Sequence, residues 1–214
     1  MKTLLIAIIT TIAFSACAQT TASTFKFPVA STDKPSPNEA VATFAEGCFW
    51  HSELVFQSLV GVRDAVSGYA GGKAANPDYE KVSTGNTGYA ETVQVYYDPS
   101  KISYKTLVAA FFASQNPTQV NGQGNDIGPQ YRSIAFYRTP AEKQIIEDEI
   151  KRLTASKKYD AKIVTEVVPF NAFHPAEEYH QEYINKHPEN PYVQHVSIPE
   201  FLSFKKTFSG NFKM

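Results

Sequence analysis

Residues 46–53 read EGCFWHSE, and this stretch joins a short apolar run to the start of a predicted helix. Glycine before Cys48 allows the backbone to turn sharply. Phe49, Phe56 and Leu59 then suit one helical face, which places Cys48 in the first turn. The free N–H groups and the positive end of the helix dipole favour an anion there. We therefore predict a reactive thiolate, although a small buried hydrophobe is the usual role of a free cysteine.

Several other motifs accompany this stretch in a fixed order along the chain. With GCFW at 47–50, they are GYAGG at 68–72, NPDY at 76–79, GYAE at 88–91, GNDIGPQYRS at 124–133 and EEYHQ at 177–181. Together they resemble the peptide methionine-S-sulfoxide reductases, the A-type family, from about residue 43 to about residue 187. The resemblance implies an oxidoreductase that reduces methionine-S-sulfoxide, mainly in proteins.

The composition is that of an ordinary globular protein. Of 214 residues, 43% are hydrophobic and 19% are charged, and the formal net charge is −1. This balance gives no electrostatic reason to expect a nucleic-acid partner. The histidines at 174, 180, 187 and 195 are not at the spacing of a zinc-binding helix. We expect a monomer without metal or bound cofactor.

Residues 1–18 have the pattern of an export signal. A basic start and an apolar core too short to cross a bilayer precede small residues at 15–18. Cleavage after Ala16 makes Cys17 the lipid-bearing first residue of a bacterial lipoprotein, and cleavage after Ala18 leaves a plain exported protein. We favour the first, and predict a bacterial protein that is periplasmic or anchored to the membrane by lipid. Neither product can form an intrachain disulfide.

Three regions follow the signal. Residues 19–40 are rich in Thr, Ser, Lys and Pro without an apolar period, which indicates a flexible tether. Residues 41–190 are predicted to form the reductase domain. Residues 191–214 form a tail with several phenylalanines, and we expect it to pack back on the domain.

The predicted elements of the domain alternate between stretches with the hydrophobic period of a strand and stretches with that of a helix. Their order is strand, helix, strand, strand, helix, strand, at 41–44, 48–59, 62–69, 90–97, 103–114 and 132–137, with long loops at 70–88 and 115–130. This order predicts an α/β (α+β) two-layer fold with a ferredoxin-like split β-α-β core. The predicted C-terminal additions are a helix at 139–155, a strand at 162–168 and a short helix at 175–184.

Glu91 is the most informative acid because its strand alternates. A period of two puts Glu91 on one face with Val93, Val95 and Tyr97. If that apolar face is buried, poor solvation raises the pKa of the carboxyl group, which can then donate a proton near neutral pH. The pattern alone favours a glutamate that reaches water at the strand end. The resemblance reverses that choice, since Glu91 matches the family's catalytic glutamate.

The resemblance also implies roles for residues in two polar loops. Tyr79 and Tyr131 match tyrosines that donate hydrogen bonds to the sulfoxide oxygen, and Asp126 matches a residue that orients the site. Without the resemblance, packing tyrosines and a turn-forming aspartate are the ordinary interpretations. Phe49 and Trp50, beside the cysteine, can form an aromatic seat for the substrate's S-methyl group, which also explains selectivity for the S epimer.

The implied cycle begins with attack of Cys48 on the sulfoxide and leaves a sulfenic acid on that cysteine. Many family members carry recycling cysteines near the C-terminus, but residues 190–214 contain none. We therefore expect an external reductant, either a thioredoxin-like exported protein or a small thiol. Oxidised exported proteins are the expected substrates.

Two rival hypotheses remain at this level. A cysteine hydrolase or acyltransferase would use His51 or His180 as the base for Cys48. It would form an acyl-enzyme and work without a reducing agent. A lipid-anchored binding module would keep Cys48 buried and inert, so that its thiol resists alkylation.

Overall fold

The structure, a computed structural model, describes residues 35–213. The predicted signal, the lipid-attachment candidate Cys17 and the tether up to residue 34 lie outside the described residues, as does Met214. Among the helices between residues 35 and 213, none combines the length and apolar character that a membrane crossing requires.

The described chain alternates short strands and helices. The strands are β1 (Ala40–Glu46), β2 (Val62–Ala70), β3 (Ala90–Tyr97), β4 (Gly122–Gln123), β5 (Asp126–Ile127), β6 (Ser133–Tyr137), β7 (Glu166–Pro169) and β8 (Phe173–Pro175). The α-helices are α1 (Phe49–Gln57), α2 (Tyr79–Ser83), α3 (Tyr104–Ala113), α4 (Pro140–Ala155), α5 (Tyr183–Lys186) and α6 (Ile198–Thr207). Two 3₁₀ turns, Pro129–Tyr131 and Glu178–His180, and a π-helical turn, Val193–Ser197, complete the described elements.

One mixed sheet organises the fold, with strand order β7-β6-β1-β3-β2-β8. Its four central strands are antiparallel, and α1 and α3 connect them as in the ferredoxin-like split β-α-β arrangement. The predicted fold class is therefore confirmed. Strand β7 extends one edge in parallel to β6, and β8 extends the other edge antiparallel to β2.

The main core lies between the sheet and the helices. Phe44 of β1 stacks on Phe56 of α1 at 5.2 Å and on Phe111 of α3 at 5.1 Å between ring centroids. All three rings are fully buried. This packing fixes the start of α1 against the end of β1, where the EGCFWHSE stretch makes its turn.

Polar side chains define the helix starts that the sequence predicts. Ser103 Oγ accepts a 3.0 Å hydrogen bond from the main-chain N–H of Thr106 at the start of α3. Thr139 Oγ1 likewise accepts from the N–H of Glu142 at the start of α4. The Glu142 carboxylate accepts from the N–H of Arg138, one residue before the cap, instead of from the cap itself.

Three of the predicted elements differ from the structure. The helix predicted at 175–184 is wrong, because Pro175 ends an edge strand and Glu182 has a left-handed backbone with φ of 55°. The predicted strand 162–168 is shorter and begins at Glu166. The loop 70–88 contains the short helix α2, which Asp78 caps through its carboxylate.

The C-terminal segment packs back on the domain, as predicted. Phe201 and Phe204 of α6 are buried in the main core. Beyond α6, the main-chain N–H of Val60 donates to the carbonyl of Asn211, and the N–H of Lys213 donates to the carbonyl of Ser58. These bonds hold the last described residues against the C-terminal end of α1.

Candidate active site

Cys48 occupies the N-cap position of α1, immediately after the turn that ends β1. Gly47 makes that turn with φ of 96°, and a Cβ at this position would lie 2.7 Å from Cβ of Gln123. Only glycine satisfies both constraints without strain. The Cys48 side chain is half-buried and is the free thiol of the described residues.

The resting thiol is neutral, in contrast to the thiolate that the helix position predicts. Burial raises the pKa of Cys48 well above its usual value, and the nearby Glu91 carboxyl group raises it further. The main-chain N–H groups of Trp50 and His51 oppose this effect, but they are outweighed. A nucleophilic role for Cys48 would therefore require this thiol to lose its proton as it reacts.

Glu91 lies in β3, beside the start of α1. Its side chain is only 3% exposed, so its predicted burial is confirmed. Burial raises the pKa of its carboxyl group to about 8, and the 3.0 Å hydrogen bond from the Phe49 N–H to Oε2 partly offsets the rise. The opposite face of β3 is also buried at Thr92 and Tyr96, which the alternation did not predict.

The structure brings every predicted catalytic and substrate-binding residue to one cavity of about 330 Å³. Two residues with no predicted role, Asn190 and Tyr192, complete its lining, which consists of Cys48, Phe49, Trp50, Tyr79, Glu91, Asp126, Tyr131, Asn190 and Tyr192. The cavity thus combines a thiol, a carboxylic acid, phenols and aromatic faces within reach of one small molecule.

The two predicted phenols belong to separate short helical turns. Tyr79 begins α2, and Tyr131 ends the 3₁₀ turn before β6. Burial raises the pKa of both phenols, and the proximity of Glu91 adds to the rise. Both hydroxyls therefore stay protonated through the neutral range and can donate hydrogen bonds to a ligand oxygen.

Phe49 and Trp50 form the apolar part of the wall. Phe49 is 1% exposed and lies 6.4 Å from the Tyr79 ring. The Trp50 ring stacks on Tyr183 at 3.7 Å, and its Nε1–H donates a 3.2 Å hydrogen bond to Nδ1 of His180. These contacts hold the indole at a fixed angle beside the thiol.

The EEYHQ motif at 177–181 forms hydrogen bonds that position the residues around the site. Glu177 accepts hydrogen bonds from the Tyr69 hydroxyl at 2.8 Å and from the Tyr79 N–H at 2.9 Å. Gln181 bonds both the N–H and the carbonyl of Ser67 in β2. The motif therefore positions Tyr79 and strand β2.

Comparison with known proteins decides the family. A family model described as peptide methionine sulfoxide reductase matches residues 40–211. The chain belongs to this family. This reductase is 47% identical over 168 residues to peptide methionine sulfoxide reductase MsrA of Sulfolobus acidocaldarius, covering 78% of this chain and 94% of the relative. It is 46% identical over 172 residues to MsrA of Nautilia profundicola, covering 80% and 98%.

Solved structures agree with this assignment. The reductase superposes on reduced Mxr1 from Saccharomyces cerevisiae with a TM-score of 0.69 and 35% identity, covering 73% of this chain and 91% of that one. It superposes on methionine sulfoxide reductase A of Corynebacterium diphtheriae with a TM-score of 0.66 and 33% identity, covering 72% and 78%. The protein is therefore an oxidoreductase with methionine sulfoxide reductase activity.

Tyr192 and Asn190 are site residues of the reductase that sequence reasoning missed. The Tyr192 hydroxyl donates a 2.5 Å hydrogen bond to Oδ2 of Asp126, which joins the C-terminal segment to the β4–β5 hairpin. Burial raises the pKa of Tyr192, as does the neighbouring Cys48. The residues around position 190 carry no apolar period and no motif, so only the tertiary fold reveals this pair.

The arrangement of histidines disfavours a hydrolase. Burial lowers the pKa of His51 to about 4, and its ring nitrogens have no hydrogen bond with Cys48. His180 uses Nδ1 to accept from Trp50. Within residues 35–213, no cluster of three or more His, Cys, Asp or Glu side chains is suited to a metal ion.

Proposed function

We propose that the reductase acts on the S epimer of methionine sulfoxide in exported proteins, through a sulfenic acid on Cys48. The observation that carries this proposal is the single cavity that holds the Cys48 thiol, the protonated carboxyl group of Glu91 and the phenols of Tyr79 and Tyr131. A nucleophile, an acid and two hydrogen-bond donors are the groups that sulfoxide reduction requires.

The first step forms a bond between the Cys48 sulfur and the sulfoxide sulfur. The S–O bond breaks, and the oxygen leaves as water after taking one proton from Glu91 and one from the thiol. Tyr79 and Tyr131 donate hydrogen bonds to that oxygen as its negative charge develops. The Glu91 proton is available because burial raises the pKa of that carboxyl group to about 8.

In the second step, water attacks the Cys48 sulfur and breaks the sulfur–sulfur bond. Methionine is released, Cys48 carries the sulfenic acid, and the one proton that the water loses returns to Glu91. Over both steps the substrate sulfur gains two electrons and the Cys48 sulfur loses two. Asp126, held by the Tyr192 hydroxyl, orients the network on this side of the thiol.

The aromatic wall supports selectivity for one epimer. We place the S-methyl group against Phe49 and Trp50, where ring faces make favourable contacts with methyl and sulfur. The oxygen then lies toward Glu91. In the other epimer, methyl and oxygen exchange places, so an oxygen without donors meets the apolar wall.

An external thiol must regenerate the enzyme in this proposal. The sequence has two cysteines, Cys17 and Cys48, so an internal relay has no second thiol in the domain. Mxr1 has been solved in complex with Trx2, and this chain superposes on that structure with a TM-score of 0.51 and 26% identity. The complex supports a thioredoxin-type reductant. We further propose that residues 1–18 act as an export signal, with or without lipid on Cys17, so that the substrates lie outside the cytoplasm.

The experiment uses a peptide with separated S and R epimers of methionine sulfoxide. The purified protein and its Cys48→Ser variant are each incubated with and without dithiothreitol. We expect thiol-dependent turnover of the S epimer alone, and about one equivalent of methionine per Cys48 without the thiol. The Cys48→Ser variant should produce none.

Each part of the proposal has an outcome that contradicts it. Turnover of both epimers would refute the aromatic seat. A sustained reaction without thiol would refute the sulfenic acid cycle, and an intramolecular disulfide detected by mass spectrometry would refute the external reductant. Loss of neither epimer would mean that the site is not used for this reaction.

A further inference from the structure

A second cavity lies beside Cys48, and the reaction proposed above leaves it unused. Its volume is about 270 Å³. Three residues, Cys48, Asp126 and Tyr192, line both cavities. The remaining lining comes from the end of β1, from α1, from the end of α3 and the loop after it, from β4 and from α6, and includes Glu46, His51, Ser114, Glu200 and Ser203.

Buried polar atoms in this lining lack partners. Glu46 is 1% exposed, and while its Oε2 accepts a 2.9 Å hydrogen bond from Ser114, its Oε1 has no partner. His51 is 5% exposed, and neither ring nitrogen has a partner. These two side chains make this part of the cavity wall polar.

The charge of the lining restricts which guest is suitable. Carboxyl groups come from Glu46, from Asp126 and, at the rim, from Glu200. Within the part of the chain that the structure describes, 35–213, no lysine or arginine lines this cavity. An anion would be repelled by Asp126 and Glu200, whereas an ammonium group would be attracted and a hydroxyl group tolerated.

The position of the cavity suits the step that regenerates the thiol. In the proposed cycle, the hydroxyl of the sulfenic acid lies in the first cavity, near Glu91 and the two phenols. A thiol that displaces this hydroxyl attacks the Cys48 sulfur in line with the breaking S–O bond, from the side away from the oxygen. The second cavity offers another approach to the same sulfur.

We propose that this second cavity binds a small thiol that reduces oxidised Cys48, and that it selects cationic or neutral thiols over anionic ones. The proposal rests on the sulfenic acid cycle proposed above. In the first exchange, the thiol sulfur bonds to the Cys48 sulfur, the S–O bond breaks, and the hydroxyl leaves with the thiol's proton as water. A second thiol then attacks the mixed disulfide, which frees Cys48 as a thiol and releases the small disulfide.

The test measures this half-reaction by itself. Cys48 of the purified protein is oxidised in one of two ways, by one equivalent of methionine sulfoxide peptide or by hydrogen peroxide. The rate of reduction is then measured with cysteamine, 2-mercaptoethanol and 3-mercaptopropionate, and is expressed per thiolate because thiolate is the reacting form. The three thiols carry a positive, a neutral and a negative group beside a similar chain.

We expect cysteamine to react fastest and 3-mercaptopropionate slowest, with about a tenfold ratio between them at low salt. Replacement of Glu200 by Gln should reduce this ratio about threefold, because it removes a rim charge. The matched control is Glu189→Gln, which removes an equal charge from an exposed side chain outside the cavity and should leave the ratio unchanged.

A second pair of variants tests the location. Ser203 lies exposed on α6 and lines the cavity, so Ser203→Phe fills it without disturbing the core. In Ser203→Phe, the rate of Cys48 reduction by the thiol, divided by the rate of Cys48 oxidation by the sulfoxide, should fall about tenfold or more. Leu202→Phe adds a ring of the same size at the neighbouring exposed position, outside the cavity, and is the control.

Three results would overturn the proposal. The first is equal rates for the three thiols, the second is equal slowing of both half-reactions by Ser203→Phe, and the third is reduction by a thioredoxin but by no small thiol. The peroxide-oxidised protein separates this proposal from the function proposed above. If peptide sulfoxide fails to oxidise Cys48, that function fails, while the thiol series on peroxide-oxidised protein still decides where the thiol binds.

Discussion

The main-chain N–H of Phe49 donates a 3.0 Å hydrogen bond to Oε2 of Glu91. This bond ties the residue after Cys48, the candidate nucleophile, to the candidate acid across 42 positions of sequence. It also anchors one carboxyl oxygen, so that the other is available to a ligand in the cavity. The first turn of α1 thus carries the thiol and positions the acid together.

We expect Glu91→Gln to lower kcat/KM by about 10²- to 10⁴-fold, because an amide cannot supply the proton that the departing oxygen needs. In the unaltered enzyme, the protonated fraction of Glu91 falls as pH rises through about 8. The single-turnover rate should therefore fall above that pH, whereas the rate of the Gln variant should not. Stopped-flow pH profiles measure this, with the exposed Glu178→Gln as control. An unchanged rate in Glu91→Gln would remove Glu91 from the mechanism.

Tyr192→Phe removes the hydroxyl that holds Asp126. One hydrogen bond to a charged group corresponds to about 1.5–3 kcal/mol, so we expect kcat to fall by about tenfold or more. Because Tyr192 positions another side chain, kcat should fall at temperatures well below the melting temperature, where the variant is fully folded. The exposed Tyr179→Phe is the matched control. Equal activity of the two variants would show that the Tyr192–Asp126 pair has no role in the reaction.

Glu53→Gln tests a buried acid of α1 that links this helix to β2 and to the segment around Glu182. Its Oε1 accepts from Gln57 and from the Glu182 N–H, and its Oε2 accepts from the Ser67 hydroxyl. Burial raises the pKa of Glu53 from 4.5 to about 8. The folded state therefore keeps a proton that the unfolded chain releases between these pH values, so folding stability falls as pH rises across that window.

The Gln variant copies the protonated acid and should escape this loss. We expect it to match the unaltered protein at pH 5 and to exceed it by at least about 1 kcal/mol at pH 9. Urea unfolding at the two pH values measures the difference. A variant that is equally destabilised at both would show that the carboxylate is needed in its charged form.

Phe201→Ala tests whether the C-terminal segment belongs to the cooperative unit. Phe201 is fully buried in the main core, so its truncation should cost about 3–5 kcal/mol in the free energy of unfolding. The neighbouring Leu202 is 49% exposed, and Leu202→Ala should cost less than about 0.5 kcal/mol. A separate early unfolding transition in Phe201→Ala would mean that the segment is an independent unit.

Local pattern predicts the central elements of this fold well. Strand β3 has the predicted bounds, and α3 begins at the predicted cap, Ser103, because alternation and capping are properties of neighbouring residues. The burial of Thr92 and Tyr96 was not predictable in this way. Arg63, whose guanidinium lies 4.9 Å from the Tyr96 ring centroid, helps to cover that face from another strand.

In the site, too, local motifs predict some features and tertiary contacts determine the others. The family motifs identify Cys48 and Glu91, and the structure places both in the cavity. The neutral state of the thiol depends on its tertiary neighbours, which the helix position could not reveal. Tyr192 was missed because its partner, Asp126, is 66 positions away and no local pattern links them.

The stacking of Trp50 on Tyr183 gives the protein an optical reporter. Trp50 is the one tryptophan in the sequence, so all indole fluorescence comes from the wall of the cavity that holds Cys48. Its ring lies flat against a phenol, and its Nε1–H is bonded to His180, so its emission depends on both contacts. Binding of a methyl sulfoxide or oxidation of the adjacent thiol changes the surroundings of this ring directly. The turnover cycle can therefore be followed in the native protein, without labels.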